Sequence, residues 1–179
     1  MNQPAVLISE EAIQTRVSEL AAQISSDCAG ADPLLVIGVL RGAFIFMADL
    51  VRRLSVPVRI DFIALSSYDG SATSGAVRLI LDVRQSIEGR DVLIVEDITD
   101  SGYTMDYLLR TLSARRPASL RVCTLLRKPD RLKIDVSLDY VGFDIPDVWV
   151  VGYGLDLGGF GRNLPYIGVV QPKKAAPGS

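Results

Sequence analysis

The sequence contains no histidine, and this absence removes several kinds of active site from consideration. A Ser-His-Asp triad, a Cys-His pair and a histidine-bound zinc ion all need a side chain that the chain does not have. Any acid-base or metal chemistry must therefore rest on carboxylates. Carboxylate oxygens suit a hard cation, so we expect a metal bound here to be Mg²⁺.

Cysteine is also scarce, because the 179 residues include only Cys28 and Cys123. These two are far apart in the sequence and form no C-x-x-C motif. We therefore expect a reduced, cytoplasmic protein in which both cysteines serve as small buried hydrophobic side chains.

Long apolar runs and strong net charge are missing as well. Runs such as Leu34 to Leu40 are far too short to span a membrane, and we expect no secretory signal at the N-terminus. A net charge of −2 argues against a generally basic nucleic-acid-binding surface, although it leaves a local basic patch open. With 49% hydrophobic residues, we predict one domain over residues 1–170 and a disordered tail at 171–179.

Apolar patterns along the chain predict strands that alternate with helices. Helices are expected from Ser9 through Ile24, from Phe44 to Leu54, and from the turn after Ile98 to about Arg116, where Pro117 follows. Strands are expected over residues 34–40, 56–66, 77–82, 91–98, 120–126, 136–143 and 148–154. This alternation is typical of an α/β domain with a mainly parallel central sheet flanked by helices. The Gly-Phe-Gly-Arg-Asn sequence at residues 159–163 indicates a small irregular lobe.

One continuous stretch, from Val92 to Thr104, carries most of the predicted chemistry. It begins as a buried strand, places two neighbouring acids at the carboxyl end, and continues through a short polar turn into a helix. Ligands bind at the carboxyl ends of strands in open α/β sheets, and helix N-termini offer backbone N–H groups to phosphate. The donors in the turn and first helical residues are Ser101, Gly102, Tyr103 and Thr104.

The acids Glu96 and Asp97 do not suit direct binding of a phosphate. Beside a phosphate they suit sugar hydroxyls, or an Mg²⁺ ion that bridges hydroxyls and pyrophosphate. Two other interpretations stay open for this stretch alone. It could be an N-capped helix after a buried strand, or a receiver domain, which also places acids at strand ends.

The stretch resembles the phosphoribosyl pyrophosphate signature of the type I phosphoribosyltransferases. Thr99 departs from the pattern, since the family usually has an apolar residue there. Segments from about Leu34 to Val170 together resemble the hypoxanthine-guanine phosphoribosyltransferases of the bacterial kind. The resemblance implies a type I phosphoribosyltransferase fold with a small hood lobe.

Two loops extend the resemblance on the pyrophosphate side. Leu40-Arg41-Gly42 resembles the family's pyrophosphate loop, in which a non-proline cis peptide turns backbone amides toward the ligand. Ser67 and Tyr68 match a Ser-Tyr pair in the flexible catalytic lid, which excludes water when closed. Taken alone, the first would be an ordinary strand-to-helix turn, and the second a plain hairpin loop.

Further matches concern the purine and the second side of the pyrophosphate. Lys128 matches the lysine that donates to the 6-oxo group, Trp149 the aromatic that stacks on the base, and Val150 the residue whose backbone groups contact the base edge. Asp156 matches an acid that holds a second Mg²⁺, and Arg162 an arginine that contacts pyrophosphate. Singly, each could be a surface or core residue without a ligand.

The resemblance implies transfer of a 5-phosphoribosyl group to N9 of hypoxanthine or guanine, with Asp100 accepting the N7 proton. It places Mg²⁺ at Glu96 and Asp97 and suggests a homodimer or homotetramer. Phosphoribosyl pyrophosphate and oxopurine bases are the implied partners, with no nucleic acid and no membrane. Two alternatives stay open: a phosphoribosyltransferase for xanthine or a pyrimidine, and a non-catalytic regulator that senses nucleotides and binds RNA or DNA.

Overall fold

The computed structural model describes residues 4–30, 33–67 and 77–170. Within these ranges there are three α-helices and nine strands, and the strands form two sheets. The helices are α1 (Glu10–Asp27), α2 (Phe44–Val51) and α3 (Tyr103–Ser113), and the strands are β1 (Ala5–Ile8), β2 (Leu34–Leu40), β3 (Val58–Ser67), β4 (Val77–Leu81), β5 (Asp91–Thr99), β6 (Ser119–Arg127), β7 (Tyr140–Asp144), β8 (Trp149–Val151) and β9 (Ile167–Val170).

The larger sheet has six strands in the order β4-β3-β2-β5-β6-β7. Five of them run parallel, and β4 pairs antiparallel with β3 at one edge. This architecture confirms the predicted α/β fold with a mainly parallel central sheet. No helix among the described residues is long and apolar enough to cross a membrane.

The central strands are apolar throughout because both faces of the sheet are covered. Val36 and Val95 face a core shared with α1 and α2, whereas Ile37 and Ile94 face a second core shared with α3. Successive residues of a strand point to opposite faces, so a doubly covered strand needs a continuous hydrophobic run.

Both cysteines are buried free thiols, as the sequence predicted. Burial raises the pKa of each thiol, which keeps Cys28 and Cys123 protonated and poorly reactive. The predicted cap of α1 is also found, since the Ala12 N–H donates to Ser9 Oγ at 3.2 Å.

Two helices end earlier than the sequence predicted. The α3 helix ends at Ser113 rather than near Arg116, because Arg116 has a φ of 55° and the chain turns before Pro117. The α2 helix ends at Val51 rather than at Leu54, and Arg53 N–H closes a turn on Leu50 O at 2.9 Å.

The strand predicted over residues 136–143 is wrong in its first half, since β7 begins at Tyr140. Val136 instead packs into the core next to α3, and the Asp139 carboxylate accepts a hydrogen bond from Val122 N–H at 2.8 Å. The predicted strand over 148–154 is also too long, because Gly152 and Gly154 adopt positive φ angles of 105° and 104° and turn the chain.

The smaller sheet was missed in part by the sequence patterns. It has three antiparallel strands in the order β1-β9-β8, so the first described strand pairs with the last. This sheet places β8 and the Gly-rich turn after it near the carboxyl ends of the large sheet, as the contact between Gly154 and Gly42 demonstrates.

Candidate active site

The turn between β5 and α3 forms a cradle of backbone donors. Gly102 precedes the helix with a φ of 87°, and no side chain caps the N-terminus of α3. A Cβ at this glycine would lie 2.7 Å from the carbonyl oxygen of Ile134, so only glycine fits. A cavity of about 80 Å³ opens at this turn, and its lining includes Asp100, Ser101 and Thr104.

The predicted acid pair lies at the floor of a larger cavity. This second cavity has a volume of about 270 Å³, and its lining includes Glu96, Asp97, Arg41, Gly42 and Thr104. Glu96 and Thr104 also line the smaller cavity, so the two cavities are adjacent. The structure therefore brings together the sugar and phosphate residues that the sequence predicted.

Burial makes the acid pair costly to charge. It raises the pKa of Glu96 well above the ordinary value, and the negative charge of Asp97 raises this pKa further. Burial also raises the pKa of Asp97, against the effect of a hydrogen bond that its carboxylate accepts from Ile98 N–H at 2.8 Å. A buried carboxylate next to a half-buried one can be stabilised by hydrogen-bond donors or by a cation from a ligand.

The loop after β2 closes the other side of the larger cavity. The peptide bond between Leu40 and Arg41 is cis, as the resemblance implied, and Arg41 is exposed. Gly42 lies directly against the Asp97 carboxylate and also meets Gly154, where an added Cβ would be 2.0 Å from Gly42 O. A side chain at either glycine would separate the loop from its neighbours.

The lid predicted from the sequence lies mostly outside the described residues. Ser67 is the last residue of β3 and pairs with Val77, whereas Tyr68 is not among the described residues. Ser66 contributes to the lining of the larger cavity.

Lys128 is buried rather than solvated, with 6% of its surface exposed. Its ammonium lies 3.4 Å from Asp147 Oδ1 and 3.6 Å from Asp100 Oδ2. Arg131 donates from Nε to the other oxygen of Asp100 at 3.0 Å. No sequence pattern indicated a role for Asp147, whereas the Lys-Pro-Asp-Arg sequence in a short turn could have pointed to Arg131.

Trp149 and Val150 point in opposite directions at the start of β8. The tryptophan is 60% exposed and the valine is 8% exposed, as alternation along a strand requires. The single tryptophan is therefore not a core residue, and its face is open to a flat ligand.

Asp156 and Arg162 contact each other in the turn after β8. Arg162 Nη2 lies 2.5 Å from Asp156 Oδ1, and Nη1 donates to Gly154 O at 2.6 Å. Asp156 Oδ2 accepts a hydrogen bond from Gly159 N–H at 2.6 Å. The positive charge of Arg162 also acts on Asp97, which places this turn near the acid pair.

A hydrogen bond ties this turn to the α2 helix. The hydroxyl of Tyr153 donates to Asp49 Oδ2 at 2.6 Å, although Tyr153 has an unusual positive φ of 48°. Because α2 follows the Arg41-Gly42 loop directly, this bond fixes the turn relative to the loop. The sequence patterns contained no sign of this contact.

The chain is similar to known proteins in both sequence and fold. A family model described as "Phosphoribosyl transferase domain" matches residues 8–157. The hypoxanthine-guanine phosphoribosyltransferase of Mycobacterium tuberculosis is 51% identical over 94% of this chain and 87% of its own length. That of Bacillus subtilis is 50% identical over 93% of each chain. A structure of the Trypanosoma cruzi hypoxanthine phosphoribosyltransferase with the product IMP superposes with a TM-score of 0.88, at 46% identity, covering 93% of this chain and 95% of that one.

Proposed function

This chain belongs to the phosphoribosyl transferase family, and we propose that it transfers 5-phosphoribosyl from phosphoribosyl pyrophosphate to N9 of hypoxanthine or guanine. It is an enzyme of purine salvage, and its products are IMP or GMP together with pyrophosphate. The observation that carries this assignment is the position of Asp100. It lies in the turn between β5 and α3, and its Oδ2 is 3.6 Å from the buried ammonium of Lys128.

The phosphoribosyl half of the substrate fits the two adjacent cavities. Backbone and hydroxyl donors of Ser101, Gly102, Tyr103 and Thr104 would bind the 5'-phosphate, and Glu96 and Asp97 would hold the ribose hydroxyls. Arg41, Gly42 and Arg162 would contact the pyrophosphate, together with the Ser67-Tyr68 pair from the lid. Donors aimed at the leaving group stabilise the charge that grows on it as the bond breaks.

The purine half fits the remaining residues. Lys128 would donate a hydrogen bond to the 6-oxo group. Adenine has an amino group at this position, and this group does not accept a hydrogen bond from an ammonium. Trp149 would stack on the ring, and backbone groups of Val150 would contact the base edge. The electron pair of N9 forms the new bond to C1', the C1'–O bond breaks with its pair leaving on pyrophosphate, and the N7 proton passes to Asp100.

Mg²⁺ is the cofactor that these residues suit. Mg²⁺ prefers oxygen ligands and is usually held by a few carboxylates together with substrate phosphate oxygens. Glu96, Asp97 and Asp156 would contribute those carboxylates. When bound, the ion neutralises charge on the pyrophosphate. Removal of Mg²⁺ with a chelator should abolish turnover, and added Mg²⁺ should restore it.

A homodimer or homotetramer is supported by an apolar surface next to α2. Phe44, Ile60 and Phe62 are 45%, 51% and 36% exposed, and Phe62 flanks Gly38 beside Met47 of α2. A second copy would cover this surface. Ile60→Glu should shift the mass measured by sedimentation toward the monomer, and an unchanged mass would contradict this interface. The two buried free thiols also support a reducing, cytoplasmic location.

The test of the function is a steady-state assay with phosphoribosyl pyrophosphate and a panel of bases. We expect turnover with hypoxanthine or guanine and none with adenine or pyrimidines. Turnover restricted to xanthine or a pyrimidine would contradict the assigned substrate. Absence of turnover with every base, together with salt-sensitive nucleic-acid binding, would instead favour the regulator.

A further inference from the structure

Four charged side chains form a closed ring around the base side of the site. Asp100 Oδ1 lies 3.0 Å from Arg131 Nε, and Asp100 Oδ2 lies 3.6 Å from Lys128 Nζ. Asp147 completes the ring, with Oδ1 at 3.4 Å from Lys128 Nζ and Oδ2 at 3.6 Å from Arg131 Nη1. The signs alternate, and each carboxylate uses different oxygens for its two cations.

The four members differ sharply in burial. The side chain of Lys128 is 8% exposed, whereas those of Asp100, Arg131 and Asp147 are 39%, 48% and 52% exposed. A buried ammonium is costly without a counter-charge, and exposed pairs contribute little by themselves. When Asp100 accepts a proton it becomes neutral, and Asp147 is then the one carboxylate of the ring still paired with Lys128.

The backbone holds Arg131 in a fixed relation to Asp100. Lys128 N–H donates to Thr99 O at 3.0 Å, and Lys133 N–H donates to Ser101 O at 3.0 Å. The loop that carries Arg131 is thus bonded to the residue before Asp100 and to the residue after it. The short 3₁₀ turn at Pro129–Arg131 closes with a bond from Arg131 N–H to Lys128 O at 3.0 Å.

We propose that Arg131 and Asp147 are positioning residues for the purine: Arg131 orients the carboxylate of Asp100, and Asp147 holds the ammonium of Lys128. Arg131 occupies Oδ1 of Asp100, and Oδ2 of Asp100 faces Nζ of Lys128. An oxopurine can replace that contact, with its N7 group binding Oδ2 of Asp100 and its O6 binding Nζ of Lys128. This inference rests on the proposed function.

The two residues should affect different kinetic constants. The contact between Lys128 and O6 is present before and during the reaction, so loss of its support lowers binding in both states. Asp147→Asn should therefore raise KM for the oxopurine by about tenfold and leave kcat within about twofold. Orientation of Asp100 matters for proton transfer, so Arg131→Gln should lower kcat by about tenfold with little change in KM for the base.

Matched controls are present in the same chain. Arg110 donates from Nε to Asp106 Oδ1 at 3.0 Å, which reproduces the Arg131–Asp100 contact on the surface of α3. Asp144 is 51% exposed and paired with Arg127, as Asp147 is 52% exposed and paired with Arg131. Arg110→Gln and Asp144→Asn should leave both kinetic constants unchanged.

The experiment combines kinetics for wild type, these four variants and Arg131→Lys with calorimetric titration of GMP and IMP. Asp147→Asn should weaken binding of the product, Arg131→Gln should not, and Arg131→Lys should recover part of kcat. If the kinetic constants of Asp147→Asn and Arg131→Gln match those of their controls, the proposal is overturned. Wild-type turnover in the same assay would leave the proposed function intact. Equal changes in kcat and KM together with a lowered Tm would overturn the proposal as well. No wild-type turnover with any base would overturn both.

Discussion

The two halves of the site are built in different ways. In the proposed function, the ribose and its 5'-phosphate are bound by one continuous stretch, Glu96 to Thr104, in which strand, turn and helix follow each other directly. The proposed base half takes Lys128 from just after β6, Trp149 from β8 and Arg131 from the turn between β6 and β7. A local stretch can bind phosphate mainly with its backbone, whereas recognition of a base edge needs side chains gathered from several elements.

This difference predicts where each half is vulnerable. The phosphoribosyl half should fail when its backbone geometry changes, and the base half should fail when a side chain or a connecting hydrogen bond is removed. Asp100 lies in the turn between β5 and α3 and contacts Lys128, so in the proposed function it belongs to both halves.

The largest effect is therefore expected at Asp100. Asp100→Asn keeps the shape of the side chain but removes the proton acceptor, and kcat should fall by roughly 10²- to 10⁴-fold. KM for phosphoribosyl pyrophosphate should change only modestly, because the backbone donors of the turn remain. Asp106→Asn, on the first turn of α3, is the control. Near-normal kcat in the first variant would remove Asp100 from the role of base.

Gly102→Ala should damage the phosphoribosyl half through its backbone. The left-handed conformation and the approach to Ile134 O together should lower the free energy of unfolding by about 2–3 kcal/mol. KM for phosphoribosyl pyrophosphate should also rise. Gly89→Ala is the control, since Gly89 has a φ of 68° with no neighbour within 4 Å. Equal losses in both variants by urea unfolding would mean that the contact with Ile134 is unimportant.

Trp149→Leu should damage the base half and leave the other half intact. Loss of stacking should raise KM for the oxopurine by about 10- to 100-fold, from roughly 1–3 kcal/mol per stacked base. The side chain is 60% exposed, so the thermal midpoint should hardly change. Trp149→Phe should retain much of the affinity. A base KM that is unchanged in the leucine variant would exclude stacking on Trp149.

Tyr153→Phe should loosen the connection between the halves and give the smallest effect. Loss of the hydrogen bond to Asp49 should lower the free energy of unfolding by about 1 kcal/mol and raise KM for phosphoribosyl pyrophosphate slightly. Tyr140→Phe removes a similar bond to Asp27 at 3.0 Å outside the site. It should lower stability comparably without any change in KM, so identical kinetics in the two variants would contradict the connecting role.

The element order was predictable from the sequence, but several element ends were not. Continuous apolar runs identified β2 and β5 because both faces of these strands are buried. The ends of α3 and β8 depend on positive φ angles at Arg116 and Gly152, and apolar periodicity carries no information about such angles. Pairing of β1 with β9 joins opposite ends of the chain, which no local pattern encodes.

The residue pattern predicted the class of the fold, which the structure confirms, and supplied the proposed chemistry of residues 96–104, because strand burial, the acid pair and the glycine turn are properties of neighbouring residues. Three contacts emerged from the folded structure and from no local pattern: Lys128 is buried between two carboxylates, Arg131 occupies one oxygen of Asp100, and Tyr153 joins the turn after β8 to α2. These contacts join segments that are distant in sequence, and their energies depend on distance and burial, which folding alone establishes.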